Sequence, residues 1–177
     1  VVHPKVVAEI AKALGDDEID VRRTAIEALG RMPHEDALAA LTKYAKKSKR
    51  ALAKDTETQV DLVKAIGRHR DPDSLRWLSK GAIDTEEFAV RQARVYAIAY
   101  QRTPDALEVL MEAMTKTEPR RLNSRMRELR PALVYLTGRD EGQDPANWTR
   151  WWTANRKTFE LPEKAPELSG QSGTLWR

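Results

Sequence analysis

The sequence predicts an all-α fold of about four stacked helical hairpins closed by a tryptophan-rich C-terminal helix. Three observations predict it. Apolar residues recur at helical spacing along the chain, and no alternating strand pattern competes. Helical stretches ending at Ala28-Leu29-Gly30, Ala65-Ile66-Gly67 and Ala97-Ile98-Ala99 recur at intervals of 37 and 32 residues. Each ending is followed by a leucine eight residues on (Leu38, Leu75, Leu107) and another three further (Leu41, Leu78, Leu110). Each link also holds a proline (Pro33, Pro72, Pro104) and an aspartate two positions before the first leucine (Asp36, Asp73, Asp105).

The elements follow in order. Val6, Val7, Ile10 and Leu14 form an i, i+3/i+4 stripe, Gly15-Asp16-Asp17 breaks it, and Val21, Ala25, Ala28 and Leu29 form a second. Each unit is therefore helix A, turn, helix B. Gly30 and Gly67 stand where a left-handed residue would end helix B, and the proline that follows cannot continue it. The spacing predicts helices over 4–14, 20–30, 35–47, 55–67, 73–81, 86–101, 104–116, 120–136 and 145–158. Asp144 is placed to cap the last of these, with Pro145 in its first turn. Trp148, Trp151, Trp152 and Phe159 share one face of it, a covering for the open end of a repeat stack. Of the adjacent Trp151 and Trp152, one must point away. Repeats thus occupy 1–138, a capping helix 139–159 and an extended tail, with its prolines, glycines and serines, 160–177.

Asp16-Asp17-Glu18-Ile19-Asp20-Val21-Arg22-Arg23-Thr24-Ala25 running to Ala28-Leu29-Gly30, and the weaker Phe88-Ala89-Val90-Arg91-Gln92-Ala93, resemble the second helix of HEAT-type repeats. Thr58-Gln59 and Arg94 depart from that pattern. The resemblance spans residues 5–138 and implies a right-handed α-α superhelix, an armadillo-like α-solenoid, used mostly as a protein-binding scaffold with helix B on the concave face. The segment from Leu136-Thr137-Gly138 through Trp151-Trp152 is similar to the closing segment of bacterial HEAT-repeat proteins. In such repeats an Asp of the turn and an Arg of helix B form ladders between neighbours, which implies a structural role for Asp17, Arg22 and Arg91.

Composition narrows the chemistry. With no cysteine, disulfides, thiolate metal sites, iron–sulfur clusters and thiol nucleophiles are excluded. The longest apolar run, Val95 to Tyr100, is far too short to span a bilayer. The chain opens Val1-Val2-His3-Pro4, without an initiator Met or a basic-then-apolar leader pattern; that suits a trimmed chain, a mature exported form or an excised domain, and localisation stays open. Charged residues are 33% of the chain, yet 31 basic against 27 acidic leaves only +4, too balanced to announce a nucleic-acid binder by net charge alone. The sequence holds no H-E-x-x-H, no G-x-S-x-G and no phosphate-cradling glycine loop, so no catalytic residue and no cofactor are expected. His34-Glu35 resembles the His-Glu pairs of HEAT-like di-iron hydroxylases, but the pair occurs once. His69 stands between Arg68 and Arg70, which would repel a cation, so both read as solvated turn histidines and no metal is expected.

Three sets of surface residues remain. Carboxylates at Asp16-Asp17-Glu18-Asp20 and at Asp84, Glu86 and Glu87 fall between helix A and helix B, where they cap and favour the next helix. Two basic runs are expected in the same kind of turn: Lys43, Lys46, Lys47, Lys49, Arg50 and Lys54 with no acid, and Lys116, Arg120, Arg121, Arg125, Arg127 and Arg130 against Glu118 and Glu128. Two hairpin steps would hold these turns on the order of 20 Å apart, beyond a Debye length of about 8 Å. They should act separately, not as one phosphate track. Aligning the units brings Arg23, Val60 and Gln92 into one row of helix B, Glu27, Lys64 and Tyr96 into a second, and Arg31, Arg68 and Tyr100 into a third. On the concave face that the resemblance implies, these rows form the candidate groove. The leading expectation is a non-enzymatic scaffold with an unidentified protein partner. The alternatives are nucleic-acid work like that of the HEAT-like alkylpurine glycosylases, for which Glu27 beside Tyr96 is the one acid–aromatic candidate, and a role like that of HEAT-like bilin lyases, which rests on fold analogy alone.

Overall fold

The computed structural model describes residues 3–80 and 87–166. Among them are ten α-helices and no strand. They fall into two compact units, the first through Gln101 and the second from Arg102.

The first unit begins with α1 (Pro4–Lys12), a 3-10 turn (Ala13–Gly15) and α2 (Ile19–Arg31). It continues with α3 (Glu35–Lys47), the one-turn α4 (Lys49–Leu52), α5 (Thr56–Arg68), α6 (Pro72–Ser79) and α7 (Phe88–Tyr100). The expected carboxylate caps are corrected: Glu18 opens α2 and Glu87 opens α7 without a side-chain cap hydrogen bond, and the capping side chains of this unit stand elsewhere. The His34 ring accepts the Asp36 N–H at 3.2 Å to open α3, and Asp55 accepts from Thr58 N–H at 3.0 Å to open α5. Asp71 and Ser74 close a reciprocal capping box on α6 around Pro72. The four-residue α4 inside the first basic run was not anticipated, because one turn is too short to show a period. Helix B of each hairpin packs on the next, α2 against α5 and α5 against α7, while α1, α3 and α6 supply the helices packed alongside. The shared leucines enter the core as their offset requires: Leu38, Leu41 and Leu78 are buried, and Leu75 is half-buried.

The expected role of Gly30 and Gly67 is corrected. Both lie inside helices, in α2 and α5, and neither takes a left-handed backbone. A Cβ on Gly30 would meet both Cα and Cβ of Ala65 at 2.6 Å, and one on Gly67 would meet Cβ of Ala97 at 2.7 Å. These glycines therefore set how closely neighbouring B helices approach. The left-handed residue in the link is an arginine instead, Arg70 at φ 49°. Its guanidinium lies 4.1 Å from the centre of the Tyr100 ring, a stacking contact that offsets part of the backbone cost.

The second unit comprises α8 (Pro104–Lys116), α9 (Pro119–Thr137) and α10 (Pro145–Asn155). Arg102 repeats the device of Arg70 three residues after the repeat landmark: it sits at φ 50°, with its guanidinium 5.5 Å from the Tyr135 ring centre. Gly138, at φ 70°, supplies the left-handed helix end, and its N–H donates to Val134 at 2.8 Å. Asp144 caps α10 as expected, accepting from Ala146 N–H at 2.9 Å. α10 packs on α8 and α9. Trp148 is 0% exposed and donates its indole N–H to the Gly142 carbonyl at 2.9 Å. Trp151 meets Trp148, Trp152 and Phe159 at ring-centre distances of 6.2, 5.9 and 5.4 Å. Trp152, half-buried, is the ring that points away. Of the tail, residues 160–166 are described; the Pro162 carbonyl accepts from Arg102, and the Pro162 ring lies against Gly138.

Candidate interaction surfaces

Helix B of the first two hairpins carries an open, mixed-sign face. Glu27 and Arg31 on α2 and Lys64 and Arg68 on α5 are exposed. Glu27 and Arg31 form an i, i+4 pair at 2.6 Å. Beside them Arg23 reaches from α2 to α5, with Nε 2.7 Å from Asp61 and Nη1 2.7 Å from Glu57. The hydrogen bond to Asp61 is the largest of the effects that raise the pKa of Arg23 and hold it charged. Arg23 is thus half-buried and tied across neighbouring repeats, and its reach to the next helix could not be read from its own helix. The inter-repeat ladder runs through this arginine. Arg22 instead donates to the Asp16 and Asp17 carbonyls of its own turn, both at 2.8 Å. Arg91 is buried, with its guanidinium 5.6 Å from the Phe88 ring centre.

The third hairpin does not continue that face. Gln92 and Tyr100 are half-buried, and Tyr96, expected on the surface, is 7% exposed. α7 is apolar on more than one side, so the row that is polar on α2 and α5 turns inward there. The acid–aromatic pair of Glu27 and Tyr96 accordingly presents no aromatic surface.

The two basic runs differ. Lys43, Lys46, Lys47, Lys49, Arg50 and Lys54 are all exposed, on the end of α3, on α4 and just beyond it. The second run lies on helices, not in a turn: Arg120 to Arg130 are residues of α9 itself. Lys116 pairs with Glu112 at 2.6 Å, and Arg130 grips Asp140 with Nε and Nη2 at 2.8 and 2.6 Å. The Arg130 hydrogen bond draws the Asp140 carboxyl below the usual carboxylate range. Arg120, Arg121 and Arg127 are exposed, but Arg125 is buried and its Nε lacks a hydrogen-bond partner, so it leaves the surface set.

Burial lowers the pKa of two half-buried groups. Arg94, the departure from the repeat pattern, stacks 4.5 Å from the Trp77 ring centre, and its Nη1 approaches the Trp77, Leu78 and Lys80 carbonyls at 3.3, 3.1 and 3.4 Å. It closes the C-terminus of the short α6, and burial pushes its pKa down to about 10. His69 is half-buried at the end of α5 and is not the solvated turn residue expected; its Nε2 has no hydrogen-bond partner. Desolvation lowers its pKa, against a smaller opposite effect from the Leu29 backbone. Among the described residues, no group of three or more His, Asp or Glu is placed to hold a metal ion, and no helix is long and apolar enough to cross a membrane. Asp16, Asp17, Glu18 and Asp20 are exposed, with Asp16 accepting the Glu18 N–H at 2.9 Å; Asp84 and Glu86 lie outside the described residues. A shallow recess in the second unit is lined by the first turn of α9 (Pro119, Leu122, Asn123) and by Asp144, Pro145 and Arg150.

Stacked hairpins with a conserved internal offset define a helical-repeat protein. The family model for HEAT repeats matches residues 1–56 and 50–130, and the chain belongs to that family. No curated protein sequence matches it. HEAT repeats are commonly protein-interaction scaffolds.

Proposed function

We infer that this chain is a non-enzymatic protein-interaction scaffold, with residues 139–159 capping the repeats of 1–138. The observation that carries the reading is the exposed face of α2 and α5, where Glu27, Arg31, Lys64 and Arg68 stand beside helices clamped together through Arg23. Mixed charge on a fixed backbone selects a partner by complementary charge rather than by a single deep pocket. Such a face suits a protein better than a polyanion, because Glu27 interrupts the positive potential. The burial of Tyr96 weighs against the glycosylase-like alternative, which needs an open aromatic beside an acid.

Affinity capture with the immobilised chain tests this. A lysate protein should be retained by the wild type and lost from a Lys64→Glu, Arg68→Glu variant that melts at the same temperature. Identical retained sets for the two chains would overturn the assignment of this face.

A further inference from the structure

We propose that the basic surface formed by the end of α3 and by α4 docks an acidic segment of a partner protein, a stretch rich in Asp and Glu. The proposal rests on the scaffold reading and supplies its partner chemistry. Lys43, Lys46 and Lys47 stand at i, i+3 and i+4, one face of α3, and all three are exposed. Leu52, buried, pins α4 to the core and turns Lys49 and Arg50 outward, with Lys54 just beyond. Gln59 of α5 donates to the Leu52 carbonyl and holds the turn in place. Six exposed cations therefore occupy positions 43–54 on a fixed backbone, without an acid among them.

Three cations elsewhere on this unit stand beside acids one helical turn away: Lys12 with Glu9 at 2.7 Å, Arg31 with Glu27 at 2.6 Å, and Arg76 with Asp73. None of the six has such a pair among the described residues. Like charges one turn apart destabilise a helix. The α3 dipole offsets part of that for Lys46 and Lys47 in its last turn, but the single turn of α4 has no separate C-terminal turn to favour Lys49 and Arg50 in the same way. Local stability thus does not account for the cluster, and an external anion does.

The chemistry favours carboxylates on a short segment. Five of the six are lysines, point charges without the planar fork that grips phosphate in two places. The corresponding turn of the preceding hairpin exposes Asp16, Asp17, Glu18 and Asp20. Both turns join a helix A to its helix B, so a phosphate backbone following that edge would cross the acidic turn. An acidic segment confined to one turn meets no such barrier.

Fluorescence anisotropy of the full chain with a labelled peptide of alternating Asp and Glu, beside a short DNA duplex and phosphatidylserine vesicles, tests the proposal. Saturable peptide binding at physiological salt is expected. It should weaken about tenfold or more on changing Lys46→Gln, Lys47→Gln, Lys49→Gln and Arg50→Gln together, the loss of four exposed ion pairs. Lys5→Gln with Lys12→Gln, on exposed positions of α1 outside both surfaces, should leave it unchanged. Should the quadruple variant fold poorly, Lys49→Gln with Arg50→Gln gives the same readout on α4 alone. Absence of peptide binding, peptide binding indifferent to these changes, or tighter binding of duplex or vesicle lost with them would each overturn the proposal. A captured protein lost only with Lys64 and Arg68 would remove this surface while leaving the scaffold reading intact.

Discussion

Gly30 and Ala65 touch across neighbouring repeats so closely that no side chain fits between them: a Cβ on Gly30 would lie 2.6 Å from both the Cα and Cβ of Ala65. Gly67 and Ala97 repeat the relationship one hairpin later, at 2.7 Å from Cβ to Cβ. Because two of the three atoms that a Cβ on Gly30 would meet are backbone, relief requires a shift of α5 against α2. Gly30→Ala would gain about 1 kcal/mol in helix propensity on an isolated helix. Here it should instead cost about 1–3 kcal/mol through overpacking. Gly15, with nothing within 4 Å of its would-be Cβ, is the control, and Gly15→Ala should stay within about 0.5 kcal/mol of the parent. Urea denaturation of the two variants checks the contrast.

Arg94 should matter for its fork rather than for its volume. Arg94→Met keeps the packing over Trp77 but leaves the carbonyls at the end of α6 without their donor, a loss of about 1–3 kcal/mol. Lysine, with a single compact ammonium, should restore only part of it. Equal stabilities of the Met variant and the parent would contradict the role assigned to the guanidinium.

His69 makes stability depend on pH with a definite sign. Its folded pKa lies below the ordinary value because burial disfavours the imidazolium, so the unfolded chain binds the proton first. Stability is complete above about pH 6.5 and falls as the pH drops from there towards the lowered folded value. The urea midpoint should fall more between pH 7.5 and pH 5.5 in the wild type than in His69→Gln. Parallel decreases would show that the ring titrates as freely folded as unfolded.

Much of the helix order was legible because its signals are local. Prolines in the links, Asp144 as a cap, and leucines at a shared offset all act within a few residues of where they are written. What the chain does laterally was not. A glycine that ends a helix and one that admits a neighbouring helix look alike in one dimension, and Gly30 and Gly67 proved to be the second kind. The burial of Tyr96 and Arg125, the reach of Arg23 to Asp61 and the half-burial of His69 depend on which helix lies alongside. Of the candidate surface, the polar face of α2 and α5 and the first basic run are exposed as their charge requires, whereas α7 has no such face.

The tryptophans of α10 should separate by burial. Trp148→Ala, which empties a fully buried site and loses the hydrogen bond to Gly142, should cost about 3–5 kcal/mol. Trp152→Ala, at a half-buried position, should cost clearly less. Thermal melts that rank the pair the other way would contradict the assignment of Trp148 as the anchor of α10.

The central claim, a scaffold for proteins rather than a nucleic-acid enzyme, is tested most directly by titrating the chain with duplex DNA at physiological salt. The account predicts binding no tighter than about 10⁻⁶ M, within the ordinary non-specific range, with no base released from alkylated DNA. Nanomolar affinity that falls with salt at a log–log slope of about −0.9 per phosphate, and that is abolished by changing Lys64 and Arg68, would contradict it.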